Sequence, residues 1–253
     1  MSLKDEFLKS LIGQQKDGKI RFALDDHGDI THLIKRVDPR CREVYEKLAA
    51  LRSPYLPAVL LMKEVDGALE VHEEYIRGQT LEAYAQEQGP LDDETLRQVA
   101  FDVAQALRLL HSTQPPIIHR DVKPQNILRR ENGRFVLIDF DAARLYDADA
   151  DTDTRCIVTM GYAAPEQYGL AQTDVRSDLF SLGVTLYEMK TGEHYVMGAK
   201  CEGALHAVIA RCTAFDPKKR YASAEELLRA LDAQTPAGKK RRQARCGRRQ
   251  RFF

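Results

Sequence analysis

The segment HRDVKPQN (residues 119–126), followed by DFD (residues 139–141), brings together groups suited to moving a phosphoryl group. The carboxylate of Asp121 could orient a hydroxyl and accept its proton. The cation of Lys123 could offset charge on the group in transit. The amide oxygen of Asn126 and the carboxylate of Asp139 are hard oxygen ligands of the kind that Mg²⁺ prefers. The two segments together predict a metal-assisted phosphoryl transfer to a hydroxyl.

The elements around these segments follow from hydrophobic periodicity. Residues 135–138 (FVLI) read as a short buried strand that leads directly into Asp139. Residues 92–111 carry apolar side chains at helical spacing, which predicts a long amphipathic helix. Later helices are predicted over residues 179–189, 204–212 and 222–231.

The first third of the chain reads as strands and turns. Strand-like runs cover residues 7–12, 19–24, 30–37, 58–64 and 69–76, and breaks such as Lys16-Asp17-Gly18 and Asp66-Gly67 favour antiparallel hairpins. Asp38-Pro39 supplies an N-cap and a first-turn proline for a short helix that ends near Leu51.

The full H-R-D-x-K-P-x-N run, followed at the expected interval by D-F-x, resembles the eukaryotic-type (bacterial Hanks-type) serine/threonine protein kinase family over about residues 7–232. The resemblance implies an α+β, bilobal fold with a small antiparallel β-rich N-lobe and a larger, mainly helical C-lobe. It places the N-lobe in residues 1–76 and the C-lobe in residues 77–235. Residues 236–253 are expected to form a disordered basic tail.

The resemblance assigns a role to each residue of the two segments. Asp121 is the base, Lys123 shields the moving group, Asn126 is a catalytic residue and metal ligand, and Asp139 is the main metal ligand. The implied cofactors are ATP and Mg²⁺, with Mn²⁺ as a substitute. Arg120 is the residue that contacts the activation segment in kinases with this motif.

A glycine-rich turn is implied to cover the nucleotide. Gly13 and Gly18 match the first and third family glycines, and Gln15 replaces the middle one, which is a departure from the family pattern. By itself the segment would be only a turn. Further nucleotide contacts are assigned by resemblance at the following positions: Ile12, Ile20, Glu74, Ile76 and Leu128.

Lys35 matches the strand lysine that pairs with the α- and β-phosphates in the family. The helix glutamate that would pair with Lys35 is either Glu43 or Glu46, and we favour Glu43. Leu33 stands where the family usually has a small alanine beneath the adenine, which indicates a reshaped pocket.

Two further departures from the family pattern are acidic. Glu73 occupies the gatekeeper position at the rear of an apolar pocket, where a buried carboxylate needs either a partner or a proton. Asp141 replaces the glycine of D-F-G, so we expect restricted rearrangement of this turn rather than lost catalysis.

The segment after Asp139 resembles the family's activation and docking region. Ala164-Pro165-Glu166 matches A-P-E, and Arg220 matches the arginine that pairs with its glutamate. Asp178 matches the carboxylate that anchors the catalytic-loop backbone. Autophosphorylation is expected at one of three threonines: Thr152, Thr154 or Thr159. Carboxylates in residues 147–153 either substitute for phosphate there or form a plain solvated loop.

Composition is that of a globular protein, with 43% hydrophobic and 30% charged residues. The scattered cysteines, the missing signal peptide and the missing membrane-spanning run predict a cytoplasmic protein with reduced thiols.

Residues 239–251 carry eight of the 38 basic side chains and no acid, so the remainder has a net charge of −8. This tail either stays disordered or contacts an anionic membrane surface or an acidic partner, and nucleic acid is disfavoured as the main partner.

The sequence therefore favours an ATP-dependent serine/threonine protein kinase that acts on protein substrates. The alternative is a pseudokinase-type nucleotide-binding scaffold, for which Gln15, Leu33 and Asp141 argue. Against it, every residue assigned to metal or proton handling is present. A small-molecule kinase is disfavoured, because the docking features at residues 159–166 would then have no purpose.

Overall fold

The computed structural model describes residues 20–147, 161–168 and 173–233. The described residues form two compact units. The first holds residues 20–52 and 57–76, and the second holds residues 53–56 together with the described residues from 77 onward.

The first unit is a four-stranded antiparallel sheet with one helix. The strands are β1 (Ile20–Leu24), β2 (Ile30–Val37), β3 (Val59–Val65) and β4 (Ala68–Glu74), in the order β1-β2-β4-β3. A 3₁₀ turn (Pro39–Cys41), capped by the Asp38 side chain, leads into helix α1 (Arg42–Ala50). Helix α1 contacts β3 and buries Val44, Tyr45 and Leu48.

The second unit is mainly helical. Its helices are α2 (Leu81–Gln88), α3 (Asp93–His111), α4 (Val175–Thr191), α5 (His206–Cys212) and α6 (Ala224–Ala233). Short strands complete it: β5 (Gly78–Thr80), β6 (Ile117–Ile118), β7 (Ile127–Arg130), β8 (Phe135–Leu137) and β9 (Arg144–Leu145). Strands β5-β7-β8 form one antiparallel sheet, and β6 pairs with β9.

Helices α3 and α4 form the centre of the second unit. Helix α3 is capped by Asp92, whose side chain accepts the Thr95 N–H at 2.7 Å, and the helix contacts α4, α6 and β8. The apolar stripe of this helix is fully buried. Burial of one large apolar side chain stabilises the folded state by about 1.5–3 kcal/mol. Gly183 permits the approach of α5 to α4, because a Cβ at this position would lie 2.5 Å from the Cβ of Cys212.

The predicted α+β class is confirmed, with an antiparallel sheet early in the chain and helices later. Residues 92–111 form the predicted long helix, which begins at Asp93. Strand β4 ends at Glu74, before the predicted Ile76. The short strand predicted over residues 135–138 is confirmed as β8, whereas helix α2 and the short strands β5, β6, β7 and β9 were not predicted. The predicted strand over residues 7–12 lies outside the described residues.

Among the described residues, Cys41, Cys201 and Cys212 are not in disulfide bonds. Within the part of the chain that the structure describes, no helix has both the length and the apolar character needed to cross a bilayer.

Candidate active site

The backbone of the catalytic loop is held by one buried carboxylate. Asp178, in the first turn of α4, accepts the N–H of His119 at 2.9 Å and that of Arg120 at 2.8 Å. The ring of His111 bonds to it at 2.9 Å. Burial alone would raise the pKa of Asp178, but the hydrogen bonds and nearby positive charge outweigh burial and leave the pKa below its usual value. The family-derived anchoring role of Asp178 matches this geometry.

Arg120 adopts a left-handed backbone conformation, with φ of 68°. For a residue with a Cβ this conformation costs about 1–3 kcal/mol, so the surroundings must enforce it. Asp178 takes its N–H, and the Nε2 group of Gln167 donates to its carbonyl at 3.0 Å. Gln167 is 1% exposed, and its Oε1 accepts the N–H of Ala164, which ties the loop to the A-P-E segment.

The side chain of Asp121 is fixed from two directions. Lys123 places its Nζ 2.7 Å from Asp121 Oδ2, and Asn126 donates through Nδ2 to the same oxygen at 2.8 Å. The Nδ2 group also donates to the Asp121 carbonyl at 2.9 Å. The structure therefore brings together the three residues predicted to be catalytic.

Asp139 is joined to this loop through backbone contacts. The N–H of Ile138 donates to the carbonyl of Asn126 at 2.9 Å, so the two predicted metal ligands belong to directly bonded segments. Asn126 donates through Nδ2, and its Oδ1 is the kind of atom that binds a hard cation. An amide oxygen and a carboxylate are ligand types that fit Mg²⁺.

In the turn that follows strand β8, Asp139 has a left-handed backbone conformation, with φ of 66°. Asp141 donates its N–H to Asp139 Oδ1 at 3.4 Å. Phe140 is buried and packs edge-on against the ring of His119, with 5.2 Å between ring centroids.

His119 is a neutral connector between the two segments. Its Nδ1 accepts the Asp121 N–H at 3.3 Å, and its Nε2 faces the Ile138 carbonyl at 3.2 Å, which requires the proton on Nε2. Burial lowers the pKa of His119 and outweighs the opposing effect of three nearby carboxylates, so the neutral form is favoured.

Glu166 and Arg220 form a buried bidentate ion pair at 2.6 and 3.0 Å, as the family resemblance implies. Ser177 donates to Glu166 Oε1 at 2.7 Å. Three further bonds from Arg220 go to the backbone carbonyls of Ala214, Phe215 and Arg176.

In the first unit, Lys35 pairs with Glu73 rather than with the helix glutamate favoured from sequence. Lys35 Nζ lies 3.0 Å from Glu73 Oε2, and both residues are buried. Glu43 and Glu46 are exposed on α1. Glu73 therefore has a partner, which was one of the two alternatives open for a buried carboxylate at this position.

The remaining predicted nucleotide contacts are distributed over both units. Ile20 lies opposite Lys35 in the β1–β2 register, and Glu74 accepts the Ala58 N–H at 3.3 Å. Ile76 is buried, and Leu128 lies in β7 of the second unit. The following predicted residues lie outside the described part of the chain: Ile12, Gly13, Gln15, Gly18, Thr152, Thr154, Thr159 and the basic tail.

Sequence reasoning missed two contributors to the second unit. Gln167 holds the Arg120 carbonyl, and no local pattern distinguishes it from a surface glutamine. A cavity of about 300 Å³ lies next to Pro124 of the catalytic loop, with Tyr162 and Glu188 in its wall. Tyr162 donates to Glu188, and burial together with this carboxylate raises the pKa of the phenol.

A β-rich unit with a buried strand lysine and a helical unit with an anchored Asp-Lys-Asn loop are features of the protein kinase class. The family model for the protein kinase domain matches residues 12–229, and the chain belongs to that family.

Several similar proteins are bacterial serine/threonine-protein kinases. A probable serine/threonine-protein kinase of Clostridium perfringens is 33% identical over 73% of this chain and 30% of its own length. Serine/threonine-protein kinase F of Synechocystis is 34% identical over 63% of this chain and 35% of its own. Serine/threonine-protein kinase PknB of Mycobacterium leprae is 33% identical over 79% of this chain and 37% of its own length. The chain thus spans about a third of the length of these relatives.

Proposed function

We propose that this chain transfers the γ-phosphoryl group of ATP to serine or threonine hydroxyls of protein substrates. The observation that carries the proposal is the shared hydrogen bonding of Asp121, Lys123 and Asn126, joined through Ile138 to the segment of Asp139. Names of the bacterial relatives support the same activity.

Each side chain has one task in the proposed reaction. Asp121 orients the acceptor hydroxyl and takes its proton, and Lys123, held at Asp121, places its cation beside the transferring group. Lys35 binds the α- and β-phosphates of the nucleotide. Asn126 and Asp139 would hold Mg²⁺, which when bound neutralises phosphate charge. Most of the barrier reduction then comes from positioning and electrostatics.

The test is phosphate incorporation from γ-labelled ATP into a general protein substrate and into the chain itself, with Asp121→Asn as control. We expect incorporation by the wild type and a loss of at least about a hundredfold in the variant, which keeps the shape but not the base. If both proteins are equally silent with Mg²⁺ and with Mn²⁺, the proposal fails and a nucleotide-binding scaffold becomes the better description.

We also propose that the chain phosphorylates itself at one of three threonines: Thr152, Thr154 or Thr159. We further propose that the protein is cytoplasmic and that its basic tail, residues 239–253, holds it at the inner surface of the membrane. The acceptor hypothesis is supported by the position of these threonines between the D-F-x and A-P-E motifs. The tail hypothesis is supported by its eight cations. Phosphosite mapping and sedimentation with anionic vesicles test the two hypotheses separately.

A further inference from the structure

The carboxylate of Glu73 is buried at the centre of the first unit. The residue is 1% exposed, and its Oε2 lies 3.0 Å from Lys35 Nζ. A carboxylate in such a place is costly unless a cation or hydrogen-bond donors compensate it. Among the residues that the structure describes, Oε1 has no hydrogen-bond partner. The ion pair with Lys35 is therefore the compensation that the described structure provides.

Strand register explains why these two residues meet. In the β2–β4 pairing, Leu33 lies opposite Glu73 and Lys35 lies opposite Val71. Because side chains alternate between the faces of a sheet, Lys35 shares a face with Leu33, and Glu73 shares that face with Val71. Lys35 and Glu73 are thus diagonal cross-strand neighbours, a separation that a long side chain can bridge.

The helix glutamates are placed differently. Glu43 and Glu46 both lie on α1 with exposed side chains, whereas Glu73 lies on the strand adjacent to that of Lys35. A residue on a neighbouring, hydrogen-bonded strand has its position fixed by the sheet itself.

We propose that Glu73 is the positioning residue for Lys35, in the role that the resemblance assigns to Glu43. This inference rests on the proposed function, because it concerns the lysine that binds the nucleotide phosphates. An ammonium group has three donors, and a rigid carboxylate that takes one of them sets the direction of the others. Glu73 thereby aligns Lys35 for the phosphates before the nucleotide arrives.

A competitive role for Glu73 would change nucleotide affinity in the opposite direction. If Glu73 merely competed with the nucleotide for Lys35, removal of its charge would tighten nucleotide binding. The positioning role predicts weaker binding, so nucleotide affinity separates the two.

The experiment titrates a fluorescent ADP analogue with Mg²⁺ into the full chain and its variants, alongside kcat and KM for ATP. Glu73→Gln should weaken nucleotide binding about tenfold and raise the KM for ATP. Glu43→Gln should change affinity less than about twofold. The matched control is Glu70→Gln, which removes a buried carboxylate of the same strand that pairs with Arg21 and Lys63. This control should leave nucleotide affinity unchanged.

A double-mutant cycle supplies a readout that a purely structural role would not move. Lys35→Met should weaken nucleotide binding, and adding Glu73→Gln should then cause no further loss, because the lysine to be positioned is gone. Additive losses would overturn the proposal. So would an unchanged or tighter affinity of Glu73→Gln alone, or a strong loss from Glu43→Gln. If Glu73→Gln does not fold, Glu73→Met replaces the charge with an apolar side chain of similar length, and the same outcomes apply.

The binding assay separates this inference from the proposed function. A chain that binds the analogue but transfers no phosphate would refute the proposed function, while the Glu73→Gln affinity still decides the positioning role. A chain that transfers phosphate and is indifferent to Glu73→Gln would refute only the positioning role. A wild-type chain that binds no nucleotide would also refute the positioning role of Glu73.

Discussion

The two units each contain a buried carboxylate paired with a cation, and the two pairs differ in how completely they are satisfied. In the second unit, all five N–H donors of Arg220 are used: two go to Glu166 and three to backbone carbonyls. In the first unit, Glu73 meets Lys35 through Oε2, and its Oε1 has no hydrogen-bond partner among the described residues. The Glu166–Arg220 pair holds backbone carbonyls in place, whereas the carboxylate of Glu73 contacts a lysine side chain.

Asp178 belongs with the saturated group. It accepts two backbone N–H groups and the ring of His111, and it is fully buried. Its role is to hold a loop whose Arg120 backbone is strained. The second unit therefore uses saturated carboxylates for the frame of the catalytic loop.

The largest loss of stability is expected when the Glu166–Arg220 ion pair is broken. Glu166→Gln keeps the volume but leaves the buried guanidinium without its counter-charge, so we expect a loss of about 3–5 kcal/mol in the free energy of unfolding. Urea unfolding followed by circular dichroism measures this loss. The comparison between the pairs fails if Glu166→Gln costs no more than Glu73→Gln.

Asp178→Asn should have the second largest effect, a loss of about 3 kcal/mol in the free energy of unfolding near neutral pH. The amide offers one oxygen where two backbone N–H groups need acceptors, so one of them meets an NH₂ group. We also expect slower phosphoryl transfer, because the strained loop loses its anchor. Unfolding curves and transfer rates for both proteins check these expectations.

The pH dependence of that loss has a definite sign. The folded pKa of Asp178 is lowered, so its stabilisation is complete above the unfolded value of about 3.9 and disappears as the pH falls through the folded pKa. The difference between the wild type and Asp178→Asn should therefore shrink as the pH is lowered below about 4. A difference that is constant down to pH 2 would show that the charge of Asp178 contributes nothing.

Local sequence patterns predicted the elements of the frame but not which partners they bring together. The periodic apolar stripe of α3 and the strand before Asp139 were readable because burial imposes a regular spacing. Helix α2 was missed because it buries only Leu81, which gives no periodic signal. The predicted partner of Lys35, Glu43 or Glu46, was wrong, because the observed pairing with Glu73 depends on the β2–β4 register between segments distant in the chain.

Gln167→Ala should cost less than the carboxylate substitutions. It removes a neutral donor from the Arg120 carbonyl and an acceptor from the Ala164 N–H, for an expected loss of about 1–3 kcal/mol. The rate of phosphoryl transfer should fall as well, because the left-handed Arg120 loses one of its restraints. Thermal unfolding and transfer assays measure the two effects. A stable variant with an unchanged rate would show that Gln167 does not hold the loop.

The smallest effect is expected where a pair is exposed rather than buried. Arg229 and Glu225 lie four residues apart on α6 at 3.6 Å, and their side chains are 73% and 50% exposed. Because water already solvates both charges, Arg229→Gln should change the free energy of unfolding by less than about 0.5 kcal/mol, and less still in 1 M salt. Chemical denaturation at low and high salt checks this. A loss comparable to that of Glu166→Gln would show that burial and saturation are not what distinguishes the ion pairs of this protein.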